Sequence, residues 1–170
     1  MLDGEKRREQ ILKEVQSNEM PISGSDLSKK FGVSRQVIVQ DVALLRASGC
    51  DILATARGYM LNKEIDKMIQ RVVAVKHDTN ETEDELNIIV DNGGRVRDVI
   101  IIHPIYGEIV ASLMLRTRRE VKQFVEKIKE TNATTLLNLT NGEHMHTIEA
   151  TTEEELDIIV DELSKKGYLY

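Results

Sequence analysis

Residues 22–49, ISGSDLSKKFGVSRQVIVQDVALLRASG, decide the fold of the first part of the chain. Ser23 is placed to cap a short helix, and Asp26 three residues later completes the pattern of a capping box. Gly32 ends that helix, because glycine readily adopts the left-handed backbone of helix ends. Ser34 is placed to cap a second helix. Its apolar residues recur at helical spacing and are Val37, Ile38, Val42 and Leu45.

The second helix also carries polar side chains off its apolar stripe. Arginine and glutamine donate hydrogen bonds to phosphates and pair with base edges in a major groove. This arrangement is typical of a DNA-binding helix-turn-helix, and the alternative is an ordinary helical hairpin with a solvated polar face. The residues predicted to contact DNA are Ser34, Arg35, Gln36, Gln40 and Arg46.

The segments on either side of this stretch favour a winged helix. Residues 4–18 have helical spacing of Ile11, Leu12 and Val15 and predict a third helix that completes a small core. Residues 51–55 and 59–61 predict two short strands joined by a turn, which is a wing. Arg57 at the wing tip is predicted to lie against a phosphate or in a minor groove. Residues 1–62 are therefore predicted to form a winged helix-turn-helix domain.

The charge of the chain is unevenly distributed. The net charge of the 170 residues is −6. Residues 1–63 carry ten Lys or Arg against eight Asp or Glu, whereas residues 64–170 carry thirteen against twenty-one. An acidic second part of the chain is compatible with DNA binding by the winged helix of residues 1–62, called the head below, if its basic groups gather on the contact face.

The sequence also indicates the cellular compartment of the protein. It contains no apolar run of 18 residues or more and opens on no signal peptide, so we expect no membrane partner. Cys50 is the single cysteine, which excludes a disulfide within the chain and suits a reducing environment. We expect a cytoplasmic protein.

Beyond a polar linker at 61–67, residues 66–170 predict a second, regulatory domain with alternating strands and helices. Strands are predicted at 68–77, 96–103 and 108–115, and helices at 81–92 and 118–130. A hairpin of strands 134–140 and 143–149 is predicted around Asn141-Gly142, and Thr151 is expected to cap a last helix. The predicted fold class is α+β, with an antiparallel-rich sheet covered by helices.

Four residues of this second part are candidate metal ligands. His144 and His146 are two apart on a predicted strand, so they share a face about 7 Å apart along the backbone. His77 ends the first predicted strand, and Glu85 follows eight residues later. Imidazoles with a carboxylate suit zinc, nickel, iron or manganese better than calcium or magnesium. The alternatives are a pair of surface histidines and an acidic, solvated helix start.

The whole pattern resembles the niacin-responsive transcriptional repressors, the NiaR family, whose second module is the three-histidine domain. The head alone is similar to winged heads of small bacterial repressors and biotin-ligase repressors. The motifs that carry the resemblance are the SRQ recognition helix, the RGY wing, VAVKH ending at residue 77, IIHPIYG at 101–107 and EHMH at 143–146. The resemblance implies one metal ion per chain, held by His77, Glu85, His144 and His146. It also implies nicotinic acid as co-repressor, with genes of NAD biosynthesis or niacin uptake as targets.

Two further residues are candidate effector contacts. His103 ends a predicted buried strand before a turn, where a structural hydrogen-bonding role is the alternative. If the domain binds a pyridine carboxylate, His103 or Tyr106 can meet the carboxylate or stack on the ring. We also expect a homodimer, because repressors of this type bind palindromic sites.

Three other classes of protein are alternatives to this family. A biotin ligase would need a glycine-rich phosphate loop after a strand, and the sequence has none. A metal-dependent hydrolase can use a three-histidine, one-glutamate site to activate water, but no motif places a general base. We therefore expect no enzymatic activity. The strongest alternative is a metal-sensing regulator in which the ion itself is the signal.

Overall fold

The computed structural model describes residues 3–63 and 68–170, which form two compact units, Met1–Glu64 and Ile65–Tyr170. Part of the predicted linker, residues 64–67, lies outside the described residues. The two units are described separately below.

The first unit contains three helices followed by a two-stranded wing. The helices are α1 (Gly4–Ser17), α2 (Gly24–Phe31) and α3 (Arg35–Ala47), and the strands are β1 (Ile52–Thr55) and β2 (Gly58–Leu61). The two strands pair antiparallel. Backbone hydrogen bonds between Ile22 and Tyr59, 2.8 and 2.9 Å long, attach β2 to the segment before α2. This order of elements is the winged helix that the sequence predicts.

The turn between α2 and α3 forms as the residue types predict. Ser23 Oγ accepts a hydrogen bond from the Asp26 N–H, and Ser34 Oγ accepts one from the Val37 N–H. Gly32 has a φ of 64° and ends α2 in the left-handed conformation. The Asp26 carboxylate, however, accepts from the Ser23 hydroxyl and not from its backbone N–H, so the capping box is incomplete. The core of this unit consists of Ile11, Val15, Leu27, Ile38, Val42, Leu45 and Ile52.

The second unit contains four strands and three α-helices. The strands are β3 (Ile69–Lys76), β4 (Arg95–His103), β5 (Gly107–Leu115) and β6 (Glu143–Ala150). The helices are α4 (Thr82–Asp91), α5 (Arg118–Thr131) and α6 (Glu153–Lys165), with 3-10 helices at Thr79–Glu81 and Leu136–Thr140. The strands lie in the order β5-β4-β6-β3, and each pairs antiparallel with its neighbours.

Helices α4 and α6 pack on the sheet and on each other, and α5 packs on α4. Their apolar side chains meet those of the strands because each helix is amphipathic, with one buried stripe. The largest fully buried side chains of this unit are Leu86, Ile89, Ile101, Leu115, Ile148, Leu156, Ile159 and Leu163.

Two further local predictions are wrong. Residues 134–140 do not form a strand, because Leu136–Thr140 is a 3-10 helix that ends where Asn141 and Gly142 both adopt positive φ. The Asn-Gly pair therefore ends a helix instead of joining two strands, and β6 pairs with β3 and β4. The cap of α6 is Thr152 and not Thr151, since Thr152 Oγ1 accepts from the Glu155 N–H.

The predicted fold class is confirmed: an N-terminal winged helix-turn-helix precedes an α+β unit with an antiparallel sheet covered by helices. Among residues 3–63 and 68–170, no helix has the length and apolar character needed to cross a membrane.

Candidate functional site

The four predicted metal ligands meet in the interior of the second unit. His77 follows β3, Glu85 lies in the first turn of α4, and His144 and His146 lie on β6. All four are buried. The Glu85 Oε2 atom lies 3.0 Å from Nε2 of His77 and 3.8 Å from Nε2 of His144. The Glu85 Oε1 atom lies 3.3 Å from Nε2 of His146. We call these four residues the histidine–glutamate cluster.

Backbone carbonyls orient all three imidazoles. Nδ1 of His77 lies 2.7 Å from the Asp78 oxygen, and Nδ1 of His144 lies 2.9 Å from the Gly142 oxygen. Nδ1 of His146 lies 2.6 Å from the Asp98 oxygen, in the segment where the β4–β6 register shifts. A carbonyl oxygen only accepts, so each Nδ1 must carry the proton and donate it. Each Nε2 is thereby presented to Glu85, as in histidines that bind metals through Nε2.

The cluster requires positive charge. Burial is the largest single influence on Glu85 and opposes its ionisation, but the three imidazoles outweigh it and hold the pKa of Glu85 well below its usual range. Burial likewise disfavours the charged forms of His77 and His146. For His77 a hydrogen bond to Glu85, and for both histidines the negative charge of the Glu85 carboxylate, outweigh that effect and raise the pKa.

A transition metal ion fits these donors. Ligand atoms of His77, Glu85 and His144 lie within 4.8 Å of one another, and His146 faces the second carboxylate oxygen. That oxygen, Oε1, is buried and makes no hydrogen bond to any described residue. A buried carboxylate with an unsatisfied oxygen facing imidazole nitrogens is the donor chemistry of zinc, nickel or iron sites.

The structure also separates Glu85 from its acidic neighbours. Glu81 is exposed and caps the preceding turn by accepting from the Asp78 N–H. Asp84 is exposed and accepts from the Tyr168 hydroxyl at 2.7 Å. Of the four acidic residues at positions 81, 83, 84 and 85, only Glu85 has its carboxylate in the buried cluster.

Sequence reasoning missed the role of Gly142. Its carbonyl accepts from the His77 backbone N–H, at 3.3 Å, as well as from His144 Nδ1. Its φ is 88°, and a Cβ atom at this position would clash with the His77 carbonyl oxygen. Glycine therefore lets the backbone of this turn approach His77 closely. The available signal is the Asn-Gly pair, which is equally typical of a hairpin turn.

The predicted DNA-binding residues lie where the sequence places them on the second helix. Ser34 is the N-cap of α3, and the side chains on the face away from the core are exposed. The exposed predicted residues of the helix are Arg35, Gln36, Gln40 and Arg46. Arg57 lies in the turn between β1 and β2 and is half-buried, so less of it faces solvent than of the residues on α3.

A buried ion pair that the sequence analysis missed fixes α3 on α1. Asp41 is 2% exposed, and its carboxylate accepts from Arg7 Nε at 2.6 Å and from Arg7 Nη2 at 3.2 Å. Arg8 Nη1 lies 3.5 Å from the same carboxylate. The available signal was the spacing, since Asp41 lies on the buried stripe three residues after Ile38.

The predicted effector contacts lie at the tip of the β4–β5 hairpin. His103 Nδ1 accepts from the backbone N–H groups of Ile105 and Tyr106, at 3.2 and 3.3 Å. The rings of His103 and Tyr106 stack with centroids 4.9 Å apart. His103 therefore shapes this turn, and the two rings are not part of the histidine–glutamate cluster.

Comparison with known protein families matches both units. Residues 7–60 match a helix-turn-helix (HTH) domain, and residues 70–170 match the 3H domain. The second match covers more than half of the chain and includes the whole histidine–glutamate cluster.

Two relatives match nearly the full chain. The transcription repressor NadR of Bacillus subtilis is 42% identical over 171 residues, which span 99% of this chain and 95% of the relative. The probable transcription repressor NiaR of Thermotoga maritima is 44% identical over 165 residues, spanning 97% and 94%. With its helix-turn-helix head and its 3H domain, the chain belongs to the family of NadR- and NiaR-type transcription repressors.

Proposed function

We propose that this chain represses transcription of NAD-biosynthesis or niacin-uptake genes, with nicotinic acid as co-repressor and one transition metal ion per chain in the histidine–glutamate cluster. The observation that carries the metal part is the convergence of three backbone-oriented imidazoles on Glu85. The nicotinic acid part follows from the sequence resemblance to niacin-responsive repressors.

The ligands proposed for the ion are His77, Glu85, His144 and His146. A bound divalent cation would supply the positive charge that a buried carboxylate among imidazole lone pairs lacks. The backbone carbonyls of Asp78, Gly142 and Asp98 would keep the three rings in the binding tautomer. The cluster gives the domain a regulatory role in this proposal and no catalytic one.

A small organic effector also needs a place on the second unit. A depression of about 190 Å³, half open to solvent, is lined mostly by apolar residues that include Ile100, Ile102 and Met145, and it borders on His144, whose ring faces the cluster. Apolar walls with a few polar groups suit a flat aromatic ring. His103 directly follows Ile102 on β4, so the predicted contacts His103 and Tyr106 adjoin the same end of the sheet.

Homodimerisation is part of the proposal. A helix-turn-helix dimer binds two half-sites whose spacing matches the separation of its heads. An effector can change operator affinity only by binding one arrangement of the paired heads more tightly than another. A coupling factor of about 5 to 150 is typical, and the operator must tighten the effector by the same factor.

The experiment is a calorimetric titration of nicotinate into the full chain, with and without a DNA duplex that the protein has selected from a random library. We expect tighter nicotinate binding in the presence of the duplex, and weaker binding after removal of metal by a chelator. Equal nicotinate affinities with and without DNA would show that nicotinate is not a co-repressor. If DNA affinity instead depends on the metal and does not change with nicotinate, the result would favour a metal-sensing regulator.

A further inference from the structure

The exposed face of α3 carries an apolar side chain among its polar ones. Val39 is 42% exposed, although it lies on a helix whose core-facing residues Ile38 and Val42 are almost fully buried. Gln36 precedes it by three residues and Ala43 follows it by four, and both are exposed. Residues three and four apart are neighbours on a helix surface, so these side chains form one continuous strip.

Gln36 and Val39 place most of this strip in the N-terminal half of α3. In helix-turn-helix proteins the N-terminal residues of the recognition helix contact base edges. Val39 is the fifth residue of α3, which spans Arg35–Ala47, and therefore lies in its second turn. Gln36 and Gln40 lie on the same exposed side, with amide groups that can pair with adenine.

The chemistry of valine restricts what it can recognise there. Its side chain has no donor or acceptor, and its branched Cβ makes it a poorer helix former than alanine, so helix stability does not favour valine at this exposed position. In the major groove the distinctive apolar group is the 5-methyl group of thymine.

We propose that Val39 determines specificity by contacting a thymine 5-methyl group in the major groove. The inference rests on the proposed function, because it requires that α3 reads operator DNA. It adds a readout by apolar contact to the hydrogen bonds expected from Gln36 and Gln40.

The experiment first selects duplexes from a random library with the full-length protein. Each thymine of the selected site is then replaced singly by deoxyuridine, which removes only the methyl group. Affinities for these duplexes are measured with the wild type, with Val39→Ala and with Leu44→Ala. Leu44 is exposed on the same helix but lies about 140° around it from Val39.

We expect one thymine per half-site whose replacement weakens wild-type binding by about three- to fivefold, the effect of one buried methyl group. The same replacement should leave Val39→Ala binding unchanged and should weaken Leu44→Ala as it weakens the wild type. Val39→Ala should fold normally, because alanine is the better helix former at an exposed site.

Two results would overturn the inference alone. One is a selected site in which no thymine responds to loss of its methyl group, and the other is an equal response in the wild type and Val39→Ala. Selection of no DNA sequence at all would overturn the proposed function with it.

Discussion

Glu85 Oε1 lies 3.3 Å from Nε2 of His146, and both groups are buried in the second unit. The opposite ring nitrogen of His146 donates to the Asp98 carbonyl, so the ring is held on both sides. The carboxylate and the imidazole can coexist in the interior only when positive charge accompanies them, either as protons or as a metal ion.

The first prediction concerns metal content. We expect about one transition metal ion per chain in the purified wild type and a loss of most of it in the variant His144→Ala/His146→Ala, because two of four proposed ligands are removed. His103→Ala is the matched control, since it removes a histidine outside the cluster. Elemental analysis of all three proteins is the measurement. Equal metal content in the wild type and the double variant would disprove the proposed site.

The second prediction concerns pH and the metal-free chain. The raised pKa values of His77 and His146 stabilise the fold below pH 6.5, and that stabilisation is lost as the pH rises through the raised values. The lowered pKa of Glu85 acts at the acidic end, where its contribution is lost as the pH falls below 4.5 through the lowered value.

In a chelator, the midpoint of thermal unfolding of the second unit should therefore fall as the pH rises above 6.5, the ordinary pKa of histidine. Saturating metal should reduce this fall, because the ion replaces the protons on the ring nitrogens. The measurement is calorimetry across this pH range with and without metal. A metal-free midpoint that stays constant or rises over the range would contradict the assignment.

The third prediction distinguishes two effects of replacing a glycine, which are backbone strain at positive φ and a clash of the new Cβ atom with a neighbouring segment. Gly142 and Gly107 both have positive φ, but only at Gly142 does an added Cβ clash with another segment, the backbone at His77. Gly107→Ala should cost about 1–2 kcal/mol of unfolding free energy from strain alone. Gly142→Ala should cost more and should also weaken metal binding, because it displaces the carbonyl that orients His144. Equal metal affinities in the two variants would show that Gly142 does not position the cluster.

The fourth prediction concerns the ion pair in the head. Asp41→Ala removes the buried carboxylate that accepts from Arg7 and joins α3 to α1, and we expect a cost of about 2 kcal/mol in the unfolding free energy of the first unit. DNA affinity should fall with it, whereas metal content should not change. Glu9→Ala, which removes an exposed carboxylate of α1, is the control. Chemical denaturation and elemental analysis are the measurements, and a cost no greater than that of the control would contradict the prediction.

The fifth prediction distinguishes base reading from phosphate contact. Gln36→Ala should relax base preference at one position of the site, by about 1–3 kcal/mol, because its amide is predicted to pair with a base edge. Arg57→Ala should instead weaken all sequences to a similar extent. Selection from a duplex library with each variant is the measurement, and Gln10→Ala on α1 is the control. An unchanged preference in Gln36→Ala would exclude it from base reading.

Local patterns made the head predictable from sequence. Capping serines, a glycine at a helix end and an apolar stripe are encoded within a few residues, and α2 and α3 form accordingly. The ion pair of Asp41 and Arg7 joins residues 34 apart in the chain, so no local pattern encodes it. In the second unit, the local alternation of apolar and polar residues predicts strands β3, β4 and β5. It does not predict the 3-10 helix Leu136–Thr140, because the same residues also suit a strand that ends at an Asn-Gly turn.

The candidate metal centre was partly predictable from the sequence for a related reason. Alternation on a strand places His144 and His146 on one face whatever the tertiary structure. The choice of Glu85 over its acidic neighbours depends on the direction in which α4 meets the sheet, which its own sequence does not encode. The sequence does not show that the backbone carbonyls of Asp78, Asp98 and Gly142 hold the imidazole rings, because every residue has such a carbonyl. Only the folded chain determines which carbonyls accept from the rings.

The support of the three rings by the main chain determines which substitutions the cluster tolerates. Nδ1 of each histidine donates to a backbone carbonyl, and every amino acid carries the same carbonyl group. Substitutions at positions 78 and 98 that preserve the backbone path therefore preserve the support of the rings. In the proposed metal site, a change of metal preference would therefore come more readily from exchange of a ligand than from new side chains at these two positions.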